Sequence, residues 1–263
     1  MIARGRRVAA AAASGRLGGG ASRVLDRALP RRRGVLTILT YHRVDEPPAR
    51  PDLMPSLVSA TPDGFAAQMA MVAREFDPVG LPDVLDALDD PRRLPGRAIL
   101  ITFDDGYRDF ATNAWPVLRA ASVPATLFVA TAFTGDPGAR FWWDRLWAAV
   151  HGAAPSTLAT PVGAVPVGPA DARATVARLR DWLKALDHDA VVHEVDRIVD
   201  ALAPGPGHAP DDAPASVLDW DELRRLAAEG VTLAPHTRTH PLLDRVDLER
   251  AEAEISGSFD DLE

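Results

Sequence analysis

The sequence predicts an α/β protein organised on a parallel sheet or barrel. Three observations lead there. The run from Ala98 to Phe103 (AILITF) is apolar and β-rich with no polar alternation, the pattern of a strand buried on both faces. Val35 to Tyr41 (VLTILTY) and Pro124 to Ala130 (PATLFVA) read the same way. Segments of helical spacing lie between these runs, and alternation of strands with helices favours parallel pairing.

The individual elements follow from local chemistry. After a Pro-rich loop from Glu46 to Ser59, Thr61 and Pro62 fit the N-cap and first position of a helix, with Phe65, Met69, Val72 and Phe76 at helical spacing. Leu81 to Leu88 predicts a short helix and Pro91 to Pro95 a turn. Tyr107 to Ala120 predicts a helix kinked by Pro116. From residue 136 to 219 the rhythm breaks, and the sequence predicts a helical insertion there. Phe141, Trp142, Trp143 and Trp147 form an aromatic cluster, more simply a core for the insertion than a sugar-stacking platform. Val176, Leu179, Leu183 and Leu186 give one apolar helix face, and Val192, Val195, Val199 and Leu202 a second. A Pro/Gly/Asp linker runs from Pro204 to Pro214. His151, His188, His193 and His208 sit in polar or linker surroundings and read as surface residues. Trp220 to Gly230 predicts a helix closed by glycine, Val231 to Ala234 a short strand, and Asp247 to Glu263 a last helix.

Composition narrows the chemistry. The chain has 263 residues, 47% of them hydrophobic, which fits a globular α/β domain over residues 34–263. With no cysteine, any metal must be held by histidine and carboxylate. The net charge of −8 argues against general nucleic-acid binding. Residues 1–33 are the exception, with nine arginines against one acid, Asp26. They read as a basic flexible arm suited to weak contact with an anionic membrane surface. No stretch has the length and apolarity of a transmembrane helix, and no clear signal peptide is present, so the expected location is cytoplasmic or peripheral to a membrane.

Two motifs carry the chemistry. The strand ending at Phe103 is followed by Asp104, Asp105 and Gly106. Asp-Gly alone is usually a turn, but two adjacent carboxylates at the mouth of a buried strand are costly without a compensating charge. Far downstream, Val231 to Ala234 runs into Pro-His-Thr-Arg-Thr-His-Pro, with His236 and His240 four apart. The flanking prolines and the absence of glutamate after His236 argue against the helical zinc-protease motif. Loops at the ends of parallel strands would instead bring both imidazoles and one carboxylate to a divalent cation, leaving the second carboxylate as a base. A lone histidine ending a strand, His42, is more often structural, and its part at such a site is minor on this reading.

ITFDDG with a downstream HTRTH resembles the polysaccharide deacetylase family, carbohydrate esterase family 4, with its NodB-homology domain. TYHRV and FWWDRLW resemble a bacterial branch of it, and the similar segments span roughly Val35 to Glu263. The resemblance implies a deformed (β/α) barrel and metal-dependent removal of N-acetyl groups from an amino sugar or polysaccharide. It implies a base at Asp104 and metal ligands at Asp105, His236 and His240. Zinc is the first expectation for the ion, with cobalt, nickel or manganese accepted by the same ligands. The family's later Arg/Pro/aromatic segment and Leu-x-His motif, which bind sugar and supply the acid, have no counterpart before Glu263. The chain is therefore expected to be a fragment, a truncated product or a form completed by another polypeptide, with its barrel incomplete at the C-terminus. Three other readings stay open: a non-catalytic carbohydrate-binding or scaffolding domain, a deformylase-type hydrolase of another C–N bond, and an iron(II) oxygenase. The last is disfavoured because its two-His-one-carboxylate site usually sits on an all-β fold. Oligomeric state is not legible.

Overall fold

A computed structural model describes residues 34–46, 53–136, 138–202 and 217–263. The basic arm at 1–33, the linker at 204–214 and His208 lie outside the described residues.

The α/β class with a parallel sheet is as predicted. The centre is β5 (Ala98–Phe103), all six residues of which are buried. On one edge it pairs in parallel with β1 (Thr37–Tyr41), in register from Thr37 with Ile99 to Tyr41 with Phe103. Its other edge is shared by β4 (Asp77–Pro78) near its start and β6 (Thr126–Val129) near its end. The far side of β6 takes β9 (Thr232–Pro235), Val129 opposite Pro235. Among the described residues the sheet is open, with order β1-β5-β6-β9, and a separate parallel pair, β2 (Arg43–Val44) with β3 (Val58–Ala60), lies off it. Because the strands are parallel and their ends align, the residues that follow β1, β5 and β9 emerge on one edge. Those residues are His42, Asp104 and His236. The carboxyl ends of such strands are where α/β folds place their ligands.

Helices cover the sheet through residues the spacing selects. In α1 (Pro62–Glu75), Thr61 accepts from the Gly64 N–H at 3.1 Å, and Phe65, Met69 and Val72 are buried. Phe65 meets Tyr41 edge-on with ring centroids 5.1 Å apart, and Tyr41 stacks on Phe103 at 5.2 Å. The α2 helix (Leu81–Asp86) stops two residues short of the expected end. The helix predicted from Tyr107 is not a kinked α-helix from its start. It opens as a π-turn over Phe110–Ala114 and becomes α3 (Trp115–Ala120) only where Pro116 enters. In an α-turn the proline ring would press on the Thr112 carbonyl. The wider turn, with Trp115 N–H donating to Phe110, relieves this.

The segment from 136 to 219 has its own core. It holds α4 (Trp142–Gly152), α5 (Ala172–Leu183) and α6 (His188–Leu202). It also holds an antiparallel hairpin, β7 (Ser156–Thr160) and β8 (Gly163–Val167), which the sequence reading lacks. Its Thr/Ala/Val run is mostly exposed and gives only a weak period-2 signal. The buried face of α6 is Val191, Val195 and Ile198, rotated from the predicted Val192, Val195 and Val199, because α6 packs on α4. His188 is buried, not a surface residue as expected, since it begins α6 under Arg250 and Glu254 of the last helix. Phe141, Trp143 and Trp147 are buried in this core as predicted. The chain then enters α7 (Trp220–Ala228), capped by an Asp219–Glu222 capping box, and ends in α8 (Leu248–Asp260). Among the described residues, no helix is long and apolar enough to cross a membrane.

Candidate metal centre

Two loops at the carboxyl edge of the sheet build the site. The first follows β5. Asp104 N–H donates to the Tyr41 carbonyl at 2.9 Å, continuing the β1–β5 ladder by one residue. Asp105 and Gly106 then both turn left-handed, each with φ 74°. At Gly106 an added Cβ would meet only ordinary contacts, 3.6 Å and beyond, so the dihedral and not space requires glycine. The second loop follows β9. His236 N–H donates to the Val129 carbonyl at 2.9 Å, and Thr237 and His240 turn left-handed at φ 63° and 56°. Of the four non-glycine residues with positive φ among the described residues, three lie in these two loops. Each costs on the order of 1–3 kcal/mol and is held only by its surroundings, a pattern typical of functional sites.

The loops bring Asp105, His236 and His240 together. The two Nε2 atoms are 3.1 Å apart, and Asp105 Oδ1 lies 3.7 Å from the first and 3.3 Å from the second. A cation with bonds of about 2.1 Å at tetrahedral angles needs donor atoms roughly 3.4 Å apart. The three edges bracket that value. The Asp105 side chain is 1% exposed, and its Oδ1 has no hydrogen-bond partner. A buried carboxylate oxygen without a partner is costly unless a cation meets it. The donor set therefore fits a divalent ion.

Electrostatics assign different states to the neighbours. Burial, then repulsion from His240, pulls His236 down to about 4, so it is neutral near pH 7, the form that ligates metals. Burial also acts against charge on His240, but Asp105 outweighs it and raises the ring. Burial raises the Asp104 carboxyl above the usual aspartate range; His42 and His240 pull it back, and Asp105 adds to the rise. His42 thus acts on Asp104, and it also acts on His236. Its backbone N–H is held by Ser59 Oγ at 3.0 Å. The parallel strands set this histidine at the same sheet edge as Asp104. The sequence signal for that placement was its position at the end of a strand running beside β5.

A buried polar network lies beneath the first loop. Tyr107 OH donates to Asp144 Oδ2 at 2.8 Å, and Trp143 Nε1–H donates to Tyr107 OH at 2.8 Å. The Arg43 guanidinium lies 4.2 Å over the Tyr107 ring. Trp143 also meets the His240 ring edge-on at 4.9 Å, so the aromatic cluster of the 136–219 segment walls the site as well as filling a core. Beside it, a cavity of about 510 Å³ opens between Trp142, Arg140, His193, Arg250 and Thr239. Burial raises Asp144 to about 6. Its pKa is thus higher folded than unfolded, and stability should fall as pH rises from about 4 to about 6, by roughly 3 kcal/mol. Urea unfolding of wild type and Asp144→Asn at pH 3.5 and 7.5 checks this. The variant, with no proton to lose, should gain on wild type by that amount at the higher pH.

The polysaccharide deacetylase family profile matches residues 92–158 and 165–263, well over half of the chain. The chain belongs to the polysaccharide deacetylase family. Within it, the poly-β-1,6-N-acetyl-D-glucosamine N-deacetylase of Escherichia coli K12 is 31% identical over 87 residues, which cover 33% of this chain and 12% of that protein. The match thus spans about an eighth of the curated relative's length. Among solved structures, a Streptococcus pyogenes deacetylase in complex with acetate is 16% identical with a TM-score of 0.49, over 86% of this chain and 66% of that one. A Bacillus cereus polysaccharide deacetylase is 16% identical with a TM-score of 0.43, over 86% of this chain and 46% of that one. In this chain the Asp105–His236–His240 cluster lies at the sheet edge described above.

Proposed function

We propose that the chain is a metal-dependent hydrolase that removes N-acetyl groups from an amino sugar within a polysaccharide. Residues 34–263 form the deacetylase domain, with 136–219 inserted in it. Asp105, His236 and His240 hold the cation, zinc first among the candidates. When bound, the cation polarises the amide carbonyl and lowers the pKa of water to about 7. The observation that carries this reading is the orphaned, buried Asp105 Oδ1 facing two imidazole nitrogens at 3.3 and 3.7 Å.

The chain's own residues supply the proton transfers. Asp104 is the base. It follows β5 directly and is not among the three clustered donors, so its carboxylate is free to take the proton from the attacking water. The leaving amine needs an acid, and His42, which follows β1 at the same sheet edge where Asp104 follows β5, is the group we assign to it. The half-buried Trp142, which lines the cavity, offers a face for a sugar ring. The E. coli relative's name makes β-1,6-linked N-acetylglucosamine the first substrate to test.

Acetate release from that oligosaccharide, with zinc content measured in parallel, tests the assignment. Asp104→Asn and His42→Ala should each retain zinc and lose about 10²–10⁴-fold in kcat. Wild type that binds zinc and sugar but releases no acetate would make the chain a binding module. Faster release of formate from an N-formyl analogue would move it to another C–N hydrolase class.

A further inference from the structure

We propose that Glu254 is a positioning residue for the metal loop, and that the α8 face carrying Glu254, Gly257 and Asp261 sets where His236 and His240 point. This rests on the assignment of those histidines as ligands. Only three residues separate them, and that short loop contains left-handed Thr237 and leads into left-handed His240. A β-branched threonine in that region is disfavoured, and nothing in β9 itself holds it there. The hold comes from the last helix. One carboxylate oxygen of Glu254, Oε2, accepts both the Arg238 N–H at 2.9 Å and the Thr239 N–H at 2.7 Å. The other, Oε1, accepts from Thr239 Oγ1. Bonds to an ionised acceptor are roughly twice as strong as neutral ones. Glu254 is itself only 6% exposed, and the Arg238 and Thr239 groups that donate to it lie between the two histidines.

One turn along, Gly257 makes room for the loop's arginine. A Cβ there would come within 2.6 Å of Arg238 Cζ and Nε. The guanidinium passes over this gap to Asp261, which it binds through two bonds of 2.8 and 2.6 Å. Asp261 Oδ2 also accepts from Thr131 Oγ1 at 2.6 Å, and Thr131 N–H donates to the Thr237 carbonyl at 3.2 Å. The strand end after β6, the histidine loop and α8 are thus closed into one ring of hydrogen bonds. A residue needed only to dock α8 would bond to the sheet; Glu254 bonds to the backbone between the ligands.

The test is zinc affinity by chelator competition, with amide hydrogen exchange at Arg238 and Thr239, for wild type, Glu254→Gln and Asp261→Asn, each also in a His240→Ala background. Glu254→Gln should weaken zinc about 10–100-fold, the usual effect of losing an outer-shell partner, and speed exchange at both amides. It should add nothing once His240 is gone, because it acts through the placement of that ring. Asp261→Asn, at a partly exposed position, should give a smaller drop in the same direction and serves if Glu254→Gln does not fold. Wild-type affinity in folded Glu254→Gln, or an equal loss in the His240→Ala background, overturns the proposal. Wild type that takes up no zinc overturns the metal reading and the role of Glu254 with it, whereas zinc bound equally by wild type and variant overturns only the latter.

Discussion

Asp105→Asn should lose zinc affinity by on the order of 100-fold or more while the metal-free protein becomes no less stable. The two halves have one cause. Structural zinc sites bind with about 10–16 kcal/mol shared among four ligands, so a single ligand carries roughly 3 kcal/mol. Asp105 is also the only anion of its cluster, and a neutral amide oxygen is a poor substitute. In the absence of a cation the same carboxylate is a liability, because its buried Oδ1 accepts no hydrogen bond and has only the imidazoles, the nearer at 3.3 Å, to offset its charge. Removing that charge relieves the penalty. Calorimetric titration with zinc, paired with urea unfolding in chelator, measures both. A variant that binds zinc like wild type, or that unfolds several kcal/mol earlier in chelator, would contradict the assignment.

Asp109→Ala should cost about 3–5 kcal/mol of folding stability, a large part of the 5–15 kcal/mol that holds an ordinary domain together. Asp109 Oδ2 accepts from Arg43 Nε at 2.7 Å, with both side chains about 95% buried, and Oδ1 accepts the Val44 N–H at 2.9 Å. The substitution leaves a buried guanidinium and a buried amide without their acceptor. Burial raises the Asp109 carboxyl, and Arg43 pulls it back, so the pair stands or falls together. Replacing both residues with apolar ones, Arg43→Met with Asp109→Leu, should recover most of the loss. Urea midpoints at constant m-value decide the matter. A cost below about 1 kcal/mol would show that water reaches Arg43.

How much of this was legible in the sequence depends on how local each signal is. The β5 strand was, because six consecutive buried residues leave no polar alternation to mistake. So were α1, with Thr61 and Pro62 at its start, α7, closed by Gly230, and α8 within the helix predicted over Asp247 to Glu263. The adjacency of Asp105 with His236 and His240 followed from topology: parallel strands deliver their ends to one edge, whatever the distance between them along the chain. What failed was decided by tertiary contact. The phase of α6 is set by α4, not by its own spacing. The burial of His188 depends on a helix sixty residues later. The exposed β7–β8 hairpin buries too little to write a pattern. Tyr107, Asp144 and Glu254 are ordinary residues in sequence, and only folding shows whose hydrogen bonds they complete.

The most direct test of the account is anomalous diffraction at the zinc edge from crystals of the zinc-loaded chain. The account predicts one strong peak within about 2.2 Å of Asp105 Oδ1, His236 Nε2 and His240 Nε2, with the Asp104 carboxylate outside bonding range. A peak elsewhere, or none at this cluster under saturating zinc, would contradict it.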